Sequence, residues 1–236
     1  MPRTVHDWMN GLSGHTFKNP ELLDLAMSHR SWCAENQGAP SNERLEFLGD
    51  AVLGWIVADL LVRRYATASE GQLTDLRKSL VSAEALAEMA REIDLGRWIR
   101  LGAGERDAGG HDKTSILADA LEALIGALYL DAGVVAARRF VRTLVLPRAK
   151  VVWRRLDRVD ARSRLIRVCV REHGRPPVVQ TVSSGRAHEP SFEATITVEG
   201  EMLGRGVGRS KKVAIQSASE VALDVLVSRG VDVASA

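Results

Sequence analysis

The stretch Asn42-Glu43-Arg44-Leu45-Glu46-Phe47-Leu48-Gly49-Asp50 puts acids where an amphipathic helix normally carries apolar residues. Glu43, Glu46 and Asp50 are spaced three and four apart, so at ~100° per residue they share one helix face. The same stripe runs on to Leu53, Val57 and Leu60, so the acids point where the rest of the helix points, towards protein. A second stretch, Ser115-Ile116-Leu117-Ala118-Asp119-Ala120-Leu121-Glu122, repeats the arrangement with Asp119 and Glu122. Inward carboxylates repel one another and are costly to desolvate unless a cation sits among them. Magnesium takes oxygen ligands and usually keeps waters, so Glu46 and Asp50 facing Asp119 and Glu122 from two antiparallel helices would suit it. The competing reading makes these residues surface acids on ordinary helices, and spacing alone leaves both open.

With 45% hydrophobic and 26% charged residues over 236 positions, the composition is that of an ordinary globular protein and excludes a disordered chain. The net charge of +2 is unevenly spread: residues 1–157 carry −1 and residues 158–236 carry +3. That direction fits a polyanionic partner for the last third. Cys33 and Cys169 belong to no Cys/His cluster, which argues against zinc and a disulfide framework and for a reducing compartment. The start, Met1 to Trp8, lacks the apolar core of a signal peptide. Asp59, Asp119 and Glu122 interrupt the long apolar runs, so the expectation is no membrane span and a cytoplasmic protein.

Helical periodicity dominates the first two thirds. The pattern predicts helices over Pro20–Met27, Asn42–Tyr65 (capped by Ser41 or Asn42), Glu70–Arg91, Thr114–Asp131 ended by Gly133, and Val135–Leu144 stopping before Pro147. Gly102 to Gly110 reads as a glycine-rich loop, and Arg148 to Arg158 as either a helix tail or a linker. Beyond it a helix over Ala161–Glu172 precedes period-2 segments at 178–182, 192–198 and 202–207, with a hairpin signal at Glu199-Gly200 and a last helix from Ser210 to Val227.

The segment Asn42 to Asp50 resembles the signature of the ribonuclease III family. Ser115 to Asp119 with Glu122-Ala123-Leu124-Ile125-Gly126 resembles its second acidic motif, and Ser28-His29-Arg30-Ser31 its Thr-His-x-Ser segment with serine for threonine. The resemblance covers Phe17 to Val227. It implies that Glu46, Asp50, Asp119 and Glu122 bind metal, Asp50 and Glu122 being catalytic, with Mg2+ as cofactor and Mn2+ able to substitute. It also implies substrate or interface roles for Glu43 and Glu70, and a homodimer with Phe47 as an interface knob. Two sites related by a twofold suit the antiparallel strands of a duplex; the alternative for Phe47 is a core aromatic of its own subunit. No Ser-His-Asp or Cys-His grouping competes, and His29 and His111 stand isolated.

The helix–three strands–helix order resembles a double-stranded-RNA-binding domain, whose motif is matched by Gly206-x-Gly208-Arg209-Ser210-Lys211-Lys212-x-Ala214. Lysines at a helix N-terminus add charge to free N–H groups, a seat for phosphates. Such domains read A-form duplex by shape, across phosphates and 2′-hydroxyls. The resemblance gives RNA contacts to Arg162, Ser163, His188, Ser210, Lys211 and Lys212, with Arg167 also available. The chain departs from the family pattern at Ile166, where glutamine is common, and at Gln180, where tyrosine is common, so no base preference is carried over.

The expectation is a multidomain protein. An all-α nuclease domain (1–147) and a linker (148–158) precede an α+β double-stranded-RNA-binding domain of α-β-β-β-α order (159–230). Its implied activity is metal-dependent cleavage of double-stranded RNA to 5′-phosphate and 3′-hydroxyl ends, in rRNA or mRNA processing. A catalytically silent RNA-binding relative would have lost a site acid, and a small-phosphoester hydrolase would carry histidines near the acids and no duplex-binding module.

Overall fold

The structure, a computed structural model, describes residues 4–159, 161–186 and 189–233. The chain divides into two compact units, Met1–Val152 and Trp153–Ala236. The first is helical. α1 (Val5–Ser13) starts at a reciprocal Thr4–Asp7 capping box, α2 (Pro20–Ala26) at Asn19 with proline in its first turn, and α3 (Arg30–Glu35) at His29. They are followed by α4 (Glu43–Arg64), α5 (Glu70–Leu80), α6 (Ala83–Glu92), the short α7 (Ala103–Asp107) and the long α8 (Thr114–Val159). Leu45, Leu53, Ile56, Val57 and Leu61 of α4 are buried, as are Leu117, Leu121, Leu124, Ile125 and Leu128 of α8.

Several boundaries differ from the sequence pattern. The run expected from Glu70 to Arg91 is two helices, because Ser82 leaves the ladder and caps α6 by accepting from the Ala85 N–H at 3.3 Å. The Gly102–Gly110 loop holds α7, and a 3-10 turn over Gly110–Asp112 follows it. Neither Ser41 nor Asn42 caps α4 with its side chain: Asn42 is buried and donates from Nδ2 to the Ala26 carbonyl at 3.3 Å instead. Gly133 does break α8, with φ 77° and ψ −179°, but Pro147 does not end it, and the backbone stays helical through Val159. The helix α1 and the single turn and a half of α3 are absent from the sequence expectation.

The expectation that acids interrupt every long apolar run also fails in α8. Residues 120–137 carry only Glu122 and Asp131 as charges, and helix Thr114–Arg154 meets the length and composition of a membrane span. Half of that apolar window is buried inside the protein, as in a central core helix.

In the second unit, α9 (Ala161–His173) and α10 (Lys211–Ser228) cover one face of an antiparallel sheet of order β1-β2-β3: Val178–Arg186, Glu189–Val198 and Glu201–Gly208. Alternation sets the faces: Ala194, Ile196 and Val198 point into a core with Leu165, Val168, Cys169, Leu203, Ala218 and Leu226. The β2–β3 turn uses Glu199 and Gly200, both at positive φ (52° and 87°), the twist a two-residue hairpin needs. A Cβ on Gly204 or Gly206 would run into the α10 backbone at Ala218, so these glycines let helix and strand approach closely.

Candidate metal centre and RNA-binding face

Two glycines set the distance between α4 and α8. A Cβ on Gly49 would overlap the Glu122 carbonyl, and one on Gly126 would overlap the Leu45 carbonyl, so the helices touch backbone to backbone. This contact brings the acids of the two motifs together. Glu46, Asp119 and Glu122 each offer an oxygen, and these lie within 4.8 Å of one another, all three side chains half-buried. Asp50 lies outside that trio and is exposed, yet its charge is the largest electrostatic influence on Glu122.

Burial and mutual repulsion push the carboxyls in one direction. Burial raises Glu122 most, and with Asp50, Asp119 and Glu46 it lifts the carboxyl to about 8. Glu46 is raised by burial first, then by Asp119 and Glu43; Asp119 is raised by burial, with His29 and then Arg30 opposing. Such a cluster holds protons unless a cation replaces them. Its all-oxygen donors and their spacing fit a hard divalent ion rather than zinc or copper.

Glu43, the first residue of α4, is exposed and accepts from Ser41 Oγ at 2.7 Å. Glu70 opens α5 and accepts from Thr74 Oγ1 at 2.8 Å, outside the trio. Phe47 is 81% exposed, so it is no core aromatic of its own chain; Trp55 and Val62 extend the same exposed face of α4.

Four further residues shape the trio's surroundings. Gly49 and Gly126 stand within the two motifs, and paired glycines on two acidic helices signal a close crossing. His29 is isolated in the sequence, yet its field reaches Asp119. It caps α3 with Nδ1, accepting from the Ser31 N–H at 3.3 Å with Ser31 Oγ at 2.8 Å, while burial lowers its own pKa. Arg30, beside it, is exposed and lowers both Glu46 and Asp119. Nothing local in the sequence puts residues 29 and 30 beside residue 119.

In the second unit Ser210 caps α10, accepting from the Val213 N–H at 3.3 Å, and Lys211 and Lys212 follow as exposed first-turn residues. Arg162 is exposed and Ser163 half-buried on the first turn of α9. His188 lies outside the described residues. The lysines thus flank the unbonded N–H groups of a helix start, an arrangement suited to phosphate.

A Ribonuclease-III-like family profile matches residues 19–149 and a double-stranded RNA binding motif matches residues 161–226. A protein named Ribonuclease 3 from Thermobifida fusca is 47% identical, over 86% of this chain and 85% of its own; one from Streptomyces coelicolor is 44% identical, over 92% and 78%. The solved nuclease domain of ribonuclease III from Campylobacter jejuni superposes with a TM-score of 0.56 at 38% identity, covering 61% of this chain and 95% of that one. A second structure of it (39% identity, TM-score 0.55, 58% and 94% covered) is described for flexibility in a region involved in dimer formation. With the acidic helix pair, the three-stranded module and these matches together, the chain belongs to the ribonuclease III family of double-strand-specific endoribonucleases and carries a double-stranded-RNA-binding domain.

Proposed function

We propose that the chain hydrolyses phosphodiesters of double-stranded RNA with Mg2+, Mn2+ being able to substitute, and leaves 5′-phosphate and 3′-hydroxyl ends. The observation that carries this is the trio Glu46, Asp119 and Glu122 within 4.8 Å, with Glu122 lifted to about 8. In this reading Glu46, Asp119 and Glu122 hold the ion with Asp50 alongside, and Asp50 and Glu122 are closest to the chemistry. When bound, the ion polarises a phosphoryl oxygen and acidifies the attacking water. Glu122, lifted to about 8, would be held ionised by a cation placed among these oxygens, and the half-buried setting limits screening of the carboxylates by bulk water. Glu43 and Glu70, on helix starts, face substrate or a partner subunit.

The RNA-binding module holds the duplex through Ser210, Lys211 and Lys212, with Arg162, Ser163 and His188 as further contacts. The exposed apolar face of Phe47, Trp55 and Val62 supports a homodimer. Domain limits of 1–147 and 159–230 around a segment at 148–158, a cytoplasmic setting and a part in rRNA or mRNA processing complete the proposal. The decisive experiment incubates the protein with a long RNA duplex and a single-stranded control, with and without Mg2+. Cleavage confined to duplex plus Mg2+ is expected; cleavage that ignores the metal or prefers the single strand overturns the reading.

A further inference from the structure

Glu46 is the α4 member of the acidic trio, and the residue one turn before it departs from the usual chemistry of a helix start. Asparagine at an N-cap ordinarily accepts from the first free N–H groups of its own helix. Asn42 holds that position with its side chain turned away. It is 3% exposed and already helical (φ −74°, ψ −5°), and its Nδ2 donates to the Ala26 carbonyl at 3.3 Å. Ala26 ends α2, where the last carbonyls have no partner within the helix. A local preference given up in this way is characteristic of residues held for a functional site.

The backbone of Asn42 extends the same junction. Its N–H donates to the Ser28 carbonyl at 2.9 Å, and its own carbonyl accepts from the N–H groups of Leu45 and Glu46, both at 2.9 Å. Two residues earlier, the Pro40 carbonyl accepts from the Cys33 thiol at 3.3 Å. The segment that receives Asn42 is pinned in turn. The Arg100 N–H donates to the Met27 carbonyl at 2.7 Å, and the His29 N–H donates to the Arg100 carbonyl at 3.2 Å. Ser28 and Asn42 are both buried, so water competes little for these bonds.

Glu46 therefore lies between two anchors. One turn before it, Asn42 ties α4 to the corner between α2 and α3; one turn after it, Gly49 meets the Glu122 backbone. The glycine contact sets how far α4 stands from α8, but a contact without a side chain resists rotation of α4 about its own axis poorly. Asn42 supplies that second constraint, because turning the helix start stretches the bonds to Ala26 and Ser28. We infer that Asn42 is a positioning residue for the metal centre, its inward amide fixing the direction from which the Glu46 carboxylate meets the ion. This rests on the metal-binding reading of the trio. A residue that only staples the fold would behave differently: removing it would lower melting and leave metal affinity as it was.

The test compares Asn42→Ala and Asn42→Ser with the wild type, all full-length. Serine can cap α4 in the ordinary way, so it spares the helix start while removing the amide that reaches Ala26. Mn2+ binding without RNA is measured by calorimetry well below the melting temperature, and duplex cleavage is followed against Mg2+ concentration. Both variants are expected to bind Mn2+ about tenfold more weakly, the usual cost of losing a group that orients a metal ligand. The Mg2+ needed for half-maximal cleavage should rise by the same factor. Wild-type Mn2+ affinity in both folded variants would overturn the positioning role. If neither variant folds, amide exchange in the wild type decides: Mg2+ should slow exchange at Asn42 and across residues 26–29 as well as at Glu46. Protection confined to Glu46 and residues 119–122 would overturn the inference. A wild type that binds no Mn2+ would instead overturn the metal-binding reading on which it rests.

Discussion

The α4–α8 crossing and the β3–α10 layer are built alike and charged oppositely. In both, glycines let a helix approach backbone to backbone: Gly49 and Gly126 in one, Gly204 and Gly206 in the other. The first contact presses half-buried carboxylates together until Glu122 is lifted to about 8. The second leaves Lys211 and Lys212 exposed at a helix start. One site works through desolvated charge at a fixed spacing, the other through solvated charge at a surface. The acidic site should therefore fail sharply under single substitutions, whereas the basic face should weaken by degrees.

Removing the carboxylate at the centre of the trio tests this most severely. Glu122→Gln keeps the shape but removes a ligand charge, and duplex cleavage in Mg2+ is expected to fall on the order of 10^3-fold while duplex binding by gel shift persists. Undiminished cleavage would break the assignment. Next is Gly49→Ala, where the new methyl overlaps the Glu122 carbonyl. Overpacking of ~1–3 kcal/mol outweighs the better helix propensity of alanine, so both melting temperature and activity should drop. Gly11→Ala, on α1 with open space around it, should instead gain ~0.5–1 kcal/mol. Equal effects of the two substitutions in a melting experiment would refute the backbone contact.

On the basic side, changing Lys211 and Lys212 together to Ala should leave melting unaltered and lower duplex affinity. The slope of log affinity against log salt should flatten by ~1–2. An unchanged slope would remove the phosphate role. The smallest expected effect is on pH. Glu122, Glu46 and Asp119 all carry raised pKa values, so the folded protein without metal binds more protons than the unfolded chain. Its stability from these groups is therefore present at acid pH and is lost as pH rises from the ordinary carboxylate range through about 8. Melting scans from pH 5 to 9 should show this decline, and added Mn2+ should raise melting more at pH 8.5 than at pH 6. A rise of stability with pH in the metal-free protein would contradict the clustered burial.

What the sequence made legible follows the same division. The acids were visible because carboxylates on an apolar stripe violate helix periodicity, and the sheet was visible through its period of two with Glu199-Gly200 between strands. The misreadings turn on single residues whose partners the periodicity does not show. Asn42 sits at the N-cap of α4, but its side chain is drawn inward to the Ala26 carbonyl rather than to the first N–H groups of its own helix. Ser82 interrupts an apolar period that runs on unbroken in the sequence. Pro147 is tolerated inside α8, with buried Val145 and Ala149 on either side. The trio itself was half legible: the residue types and helices could be named, but only packing separates Glu46, Asp119 and Glu122 from the more open Asp50.

The glycine crossing also makes α4 and α8 a pivot. Where two backbones touch there is no side chain to shrink or swell, so conservative changes in the leucine layers further along α4 can tilt the helices without altering their separation at Gly49 and Gly126. The carboxylates ride within one turn of that fixed point, where a tilt moves atoms least. The acidic cluster is thereby insulated from the drift in volume that hydrophobic cores undergo, and its spacing is set by two residues with no side chains at all.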